Sequence, residues 1–157
     1  MKGGKGKNLP DDDHVLRYVS WTRLRKDEDG NVIGLLPQAF QLREREDYLS
    51  VNWLEYHDGD RDTQIRLSVW AVRSSFSKPL GPKSAFGIAN VAKIKEVAQG
   101  SGARVRVTHE PHGESNPGHA GVRRLPADDL SLLEALAADA FTEMVSNAEI
   151  VIKPILE

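Results

Sequence analysis

The sequence has no cysteine, and that one absence removes a disulfide framework, a thiolate zinc site, an iron–sulfur cluster and a cysteine nucleophile together. It also suits a reducing compartment. No run of residues approaches the ~18 consecutive apolar positions that a membrane span requires. The basic opening residues lack the apolar stretch of a signal peptide, so a cytoplasmic location is expected. A dominant charge is missing too. With 21 basic and 23 acidic residues the net charge is −2, and no overall field draws the protein toward nucleic acid. There is no Gly-x-Ser-x-Gly elbow, no Walker loop and no Gly-x-Gly-x-x-Gly after a strand. Function therefore has to be read from weaker constellations.

What is present is a globular composition. Of the 157 residues, 39% are hydrophobic and 28% charged, and a chain of this length builds one core. Residues 1–10, with Lys2, Lys5 and Lys7 set among glycines, read as a flexible basic tail. Residues 11–157 read as a single α+β domain. Val15 to Val19 is rich in strand formers, and Asp29-Gly30 is the strongest turn signal. Residues 48–54 alternate apolar with small or polar side chains, a half-buried strand. Ile65, Val69, Val72 and Phe76 recur at helical spacing, and Pro79 and Pro82 stop that helix.

Further along, residues 85–89 read as a strand, and Asn90 is placed to cap a helix that ends at Gly100. Residues 104–109 alternate basic and apolar, a strand with one wet face. A helix is expected over residues 128–146, burying Leu133, Ala137, Phe141 and Met144, with a last edge strand over 149–152. The hairpin-rich first half favours an α+β fold: a mixed, largely antiparallel sheet with two to three helices packed on one side of it.

The densest chemical segment is the loop over residues 110–121, opened by Glu110 and closed by Gly121. His109, His112 and His119 fall in or beside it, together with Asn116. Imidazole is the commonest metal ligand and titrates near neutrality. Three imidazoles and a carboxylate form a zinc site in principle, but the spacing matches no recognised ligand pattern, so no metal and no cofactor are expected. A loop this long inside a compact domain usually binds or covers something, which makes it the expected binding surface.

Two other residues stand out at the start of the domain. His14 and Arg17 flank an apolar pair, and on a regular strand they point to opposite faces. A guanidinium in such a strand needs a carboxylate partner, with Asp13 and Glu55 the candidates, or a phosphate ligand. The acidic run at 58–62 imitates a calcium loop but fails where Thr63 and Val69 stand, and helix-start acids explain it. Lys2, Lys5, Lys7, Arg104, Arg106, Arg123 and Arg124 have no stacking aromatics among them and read as solvated charge, so a nucleic-acid partner is not expected. Trp21, Trp53 and Trp70 read as core or interface anchors.

The segments His14-Val15-Leu16-Arg17, Ala39-Phe40, Leu49-Ser50-Val51-Asn52-Trp53-Leu54-Glu55 and Asn116-Pro117-Gly118-His119-Ala120 together resemble small bacterial proteins of unassigned function. The resemblance implies a bacterial origin and assigns no chemistry. Two functions follow from the residues. The first is a protein-binding accessory module whose partner is another protein. The second is a small enzyme using His14, Arg17 and His119 on a phosphate-bearing or nucleotide substrate. Convergence of those three side chains in one pocket separates the two.

Overall fold

A computed structural model of the chain describes residues 3–43 and 45–152. Its strands are β1 (His14–Val19), β2 (Leu24–Lys26), β3 (Val32–Leu35), β4 (Tyr48–Trp53), β5 (Ala85–Asn90), β6 (Arg106–His109), β7 (His119–Arg123) and β8 (Glu143–Ser146). Its helices are α1 (Arg61–Ser75), α2 (Val91–Gly100) and α3 (Leu130–Ala135). The fold is α+β. β2 and β3 form a hairpin, and the other strands build a six-stranded sheet in the order β6-β7-β4-β1-β5-β8. The mixed sheet expected from the sequence is antiparallel at every one of these pairings.

Local chemistry accounts for most boundaries. The Asp27 carboxylate accepts the N–H groups of Asp29 and Asn31, and Gly30 takes a positive φ of 83°, which turns β2 into β3. Asp60 caps α1 by accepting Thr63 N–H at 2.8 Å. Asn90 caps α2 by accepting Lys93 N–H at 3.0 Å.

Strand alternation then sends side chains to two cores. Val15 and Val19 of β1 join Leu49 and Val51 of β4 in the larger one, under Ile94 of α2 and Leu133 of α3. Leu16 and Phe86 point the other way, onto Ile65, Val69 and Val72 of α1. Helices therefore cover both faces, where one was expected, because β1 and β5 are apolar on both sides of the pleat.

Three expectations need correction. The helix predicted over 128–146 is α3 followed by a π turn over Leu136–Ala140, closed by Phe141 N–H to the Leu136 carbonyl at 2.9 Å. The chain then becomes β8, since β5 offers an open ladder that pairs Val145 with Phe86 and Met144 with Gly87. Leu133 is fully buried as expected, whereas Leu130 at the start of α3 is 58% exposed. Residues 149–152 form no edge strand, because β8 already holds that edge and a 3-10 turn follows it.

The N-terminal segment is the third correction. Lys5 and Lys7, read as part of a flexible tail, belong to a stretch lying along β6. Gly6 N–H donates to the His109 carbonyl, His109 N–H to the Lys7 carbonyl, and Leu9 N–H to the Val107 carbonyl, at 2.7–2.9 Å. Leu9 is buried in the larger core. An unpaired strand edge and one apolar anchor hold what composition alone marks as loose. Lys2 and residues 153–157 lie outside the described residues.

A candidate ligand cleft where the sheet splits

β1 pairs with β5 along its whole length, from His14↔Asn90 to Val19↔Ala85. β4 pairs with β7 from Tyr48↔Arg123 to Asn52↔His119. Between β1 and β4 the ladder holds only at Val15↔Trp53 and Leu16↔Asn52. Beyond Leu16 the two strands part, and a cleft of about 600 Å³ opens there. That volume lies within the range of small-molecule sites.

Arg17 spans the gap. Its Nε donates to the Ala39 carbonyl and its Nη1 to the Ser50 carbonyl, each at 2.7 Å. These carbonyls replace the carboxylate partner expected in Asp13 or Glu55. Asp13 accepts the Trp53 indole N–H instead, at 2.8 Å. Burial lowers the Arg17 guanidinium to about 10; Glu46 opposes the shift, and Arg23 and Arg43 add to it. It remains a cation at neutral pH. Arg23, Arg43 and Glu46 line the same cleft, and no carboxylate of a described residue forms an ion pair with either arginine.

The opposite wall comes from β4, β7 and the loop between β6 and β7. Tyr48, Ser50 and Asn52 share one face of β4, because Leu49, Val51 and Trp53 take the other. Asn52 Nδ2 donates to Asn116 Oδ1 at 2.8 Å, a buried pair that ties the loop to the sheet. His112 stacks on His119 with ring centroids 3.9 Å apart and a 23° interplanar angle. The Tyr48 hydroxyl lies 3.2 Å from His112 Nε2. The Tyr48 ring covers Gly121, where a Cβ would stand 2.3 Å from it. Only glycine lets the ring lie this low.

His119 is the residue with the most defined chemistry. Its Nδ1 lies 2.9 Å from the Glu110 carbonyl, which only accepts, so Nδ1 carries the proton. Nε2 is then the basic nitrogen of the neutral ring. Burial pushes its pKa below the ordinary histidine value, aided by His112 and His109 and opposed by the bond to Glu110. A neutral imidazole with its tautomer fixed by a backbone carbonyl is the arrangement of a general base.

The neighbouring charges are internally matched. Glu110 is buried and accepts Arg123 Nε and Nη2, each at 3.0 Å, as well as the Thr108 hydroxyl at 2.6 Å. Arg123 holds the Glu110 carboxyl below the usual carboxylate range despite that burial.

Of the three residues whose convergence was in question, Arg17 and His119 share the cleft and His14 does not. Glu55 holds His14 away, taking its ring Nδ1 at 2.6 Å and its backbone N–H at 2.7 Å. His109 also separates from the other loop histidines. It pairs with Ala120 and so shares the face opposite His119, between Trp53 and Tyr56. There its Nδ1 accepts Gly4 N–H and its Nε2 donates to the Pro117 carbonyl. Among the described residues no group of three or more His, Asp or Glu side chains is placed to hold a metal ion. The expected loop also shortens, because His119 and Gly121 already belong to β7.

Residues the sequence did not single out are Arg23, Arg43, Glu46, Tyr48 and Asn52. The polar alternation along β4 carries a signal for the last two. Searched against family models, the curated proteins and the solved structures, the chain matches none.

Proposed function

We propose that the cleft binds a phosphate-bearing small molecule and that His119 takes a proton from it. The carrying observation is that Arg17, Arg23 and Arg43 line one cleft with a histidine whose tautomer is set by the Glu110 carbonyl and whose burial favours the neutral ring. Arg17 is preorganised by its two carbonyl bonds and supplies a fixed positive charge, to which Arg23 and Arg43 add two more at the cleft wall. Phosphate oxygens take such donors readily. His119 Nε2 then serves as general base toward an O–H or C–H group of the ligand. His14 has no part in this site.

Isothermal titration of the full chain with ribose 5-phosphate at low salt tests the reading. Binding is expected, and Arg23→Gln with Arg43→Gln should weaken it at least tenfold while leaving the melting temperature unchanged. No heat with the wild-type protein, or equal affinity in the double variant, overturns it.

A second reading, a protein-binding accessory module, is favoured by the outer face of α1. Trp70 is 56% and Leu67 40% exposed there, more apolar surface than a helix flank needs. It addresses a different face from the cleft, and Trp70→Ala separates the two by leaving ligand titration untouched.

A further inference from the structure

The two walls of the cleft differ in kind. One row across the sheet, on the face toward α1, reads Ile88, Leu16, Asn52, His119 through the pairings of β5, β1, β4 and β7. The next row reads Phe86, Tyr18 and then, across the gap, Ser50 and Gly121. The change from apolar to polar falls at the split. On the β1 side the wall is Leu16 and Tyr18, continued upward by Val72 and Phe76 from α1 and its C-terminal end.

Its rings are fixed against one another. Tyr18 lies 5.7 Å from Phe86 and 5.5 Å from Phe76, tilted 57° and 58°. Phe86 is fully buried, whereas Phe76 at the lip is 42% exposed. A phenyl ring braced from behind and open in front is a stacking surface.

We propose that this wall is a ring-binding subsite and that the ligand is a nucleoside phosphate, its base against Phe76 and Tyr18 and its phosphate on the three arginines. The proposal rests on the phosphate reading above and narrows it. A sugar phosphate alone would leave the apolar wall against water, and a purely apolar ligand would leave three arginines in the cleft facing only the single Glu46 carboxylate. A base joined to a phosphate through a ribose satisfies both ends. The facing polar wall of Ser50, Asn116 and His119 meets the base edge and the ribose hydroxyls. The cleft of about 600 Å³ suits a single nucleotide. A nucleic-acid strand would need a basic track leading out of it, and the net charge of −2 supplies no such field.

The test compares adenosine monophosphate, ribose 5-phosphate and adenosine by isothermal titration with the full chain. Adenosine monophosphate should bind at least tenfold more tightly than either fragment. Phe76→Ala should remove about tenfold of that affinity, the scale of one aromatic–base stack, and leave ribose 5-phosphate unchanged. Phe76→Tyr, which keeps a ring, should retain the preference. Phe76 sits exposed at a helix end, so the variants keep the fold. If the mononucleotide binds no better than ribose 5-phosphate, or Phe76→Ala weakens both alike, the ring subsite is overturned and the phosphate reading survives. If adenosine binds as well as its monophosphate, or nothing binds, the phosphate reading falls and this proposal with it.

Discussion

One face of the six-stranded sheet is built in two halves that obey the same pleat and end differently. Over β5 and β1 the outward side chains are Ile88, Leu16 and Phe86, and α1 lies down on them. Over β4, β7 and β6 the corresponding positions hold Asn52, Tyr48, His119, Thr108 and Arg123, with the Asn116 loop folded against them. Burying the first set removes apolar surface from water, at roughly 25 cal/mol per Å². Burying the second gains nothing unless every polar group is matched, and here most are paired with one another before any ligand arrives. A covering helix is thus recruited by one half and refused by the other. The split between β1 and β4 sits on the border, so the cleft is where the two solutions fail to join.

Substitutions that exchange the roles of the halves test this contrast. The largest effect is expected in the covered half. Phe86 is fully buried, and Phe86→Ala should cost about 3–5 kcal/mol in urea unfolding, the range for a large ring removed from a packed core. A loss under about 1 kcal/mol would show that α1 is not the packed cover described.

A middle effect belongs to the open half. Asn116→Ala leaves the buried Asn52 amide without its 2.8 Å partner, and about 1–3 kcal/mol should be lost in the same assay, the cost of one stranded buried polar group. Should Asn116→Ala prove as stable as the wild type, the loop is not pinned to the sheet by that pair.

The smallest effect is a pH dependence. The folded pKa of His119 lies below the ordinary value of about 6.5, so the unfolded chain binds more protons in the window between the two. Stability from this residue is complete above about pH 6.5 and is lost as pH falls through that value toward the folded pKa. His119→Gln should flatten that part of the wild-type profile in unfolding titrations between about pH 5 and pH 8. A variant profile parallel to the wild type would place the proton elsewhere.

Much of the fold was legible because it is written in short-range chemistry. The Asp29-Gly30 turn, the Asn90 cap and the alternation of Tyr48, Ser50 and Asn52 with Leu49, Val51 and Trp53 each involve neighbours in sequence. The end of α3 was not legible. Phe141 and Met144 are three apart and imitate a helix face, while the open edge of β5 that turns residues 143–146 into a strand lies more than fifty positions away in sequence. The site divides the same way. His112, Asn116 and His119 could be found as a local cluster. That His109 faces away depends on its register with Ala120, and that Arg23 and Arg43 join Arg17 depends on how two connecting loops fold back. His14 looked available only because Glu55, its partner, comes 41 residues later.

The glycine-rich segment along β6 carries a last consequence. A Cβ at Gly3, whose φ is +68°, would stand 2.4 Å from His109 Nδ1 and 2.9 Å from the Trp53 ring. Glycine serves there for its thinness, letting the backbone lie flat against two rings as a selvedge lies against cloth. The hem so formed occupies carbonyl and N–H groups of Val107 and His109 that a bare β6 would present to any passing strand. A bulky residue at position 3 would unpick that hem, and its first symptom would be molecules sticking to one another through the raw edge.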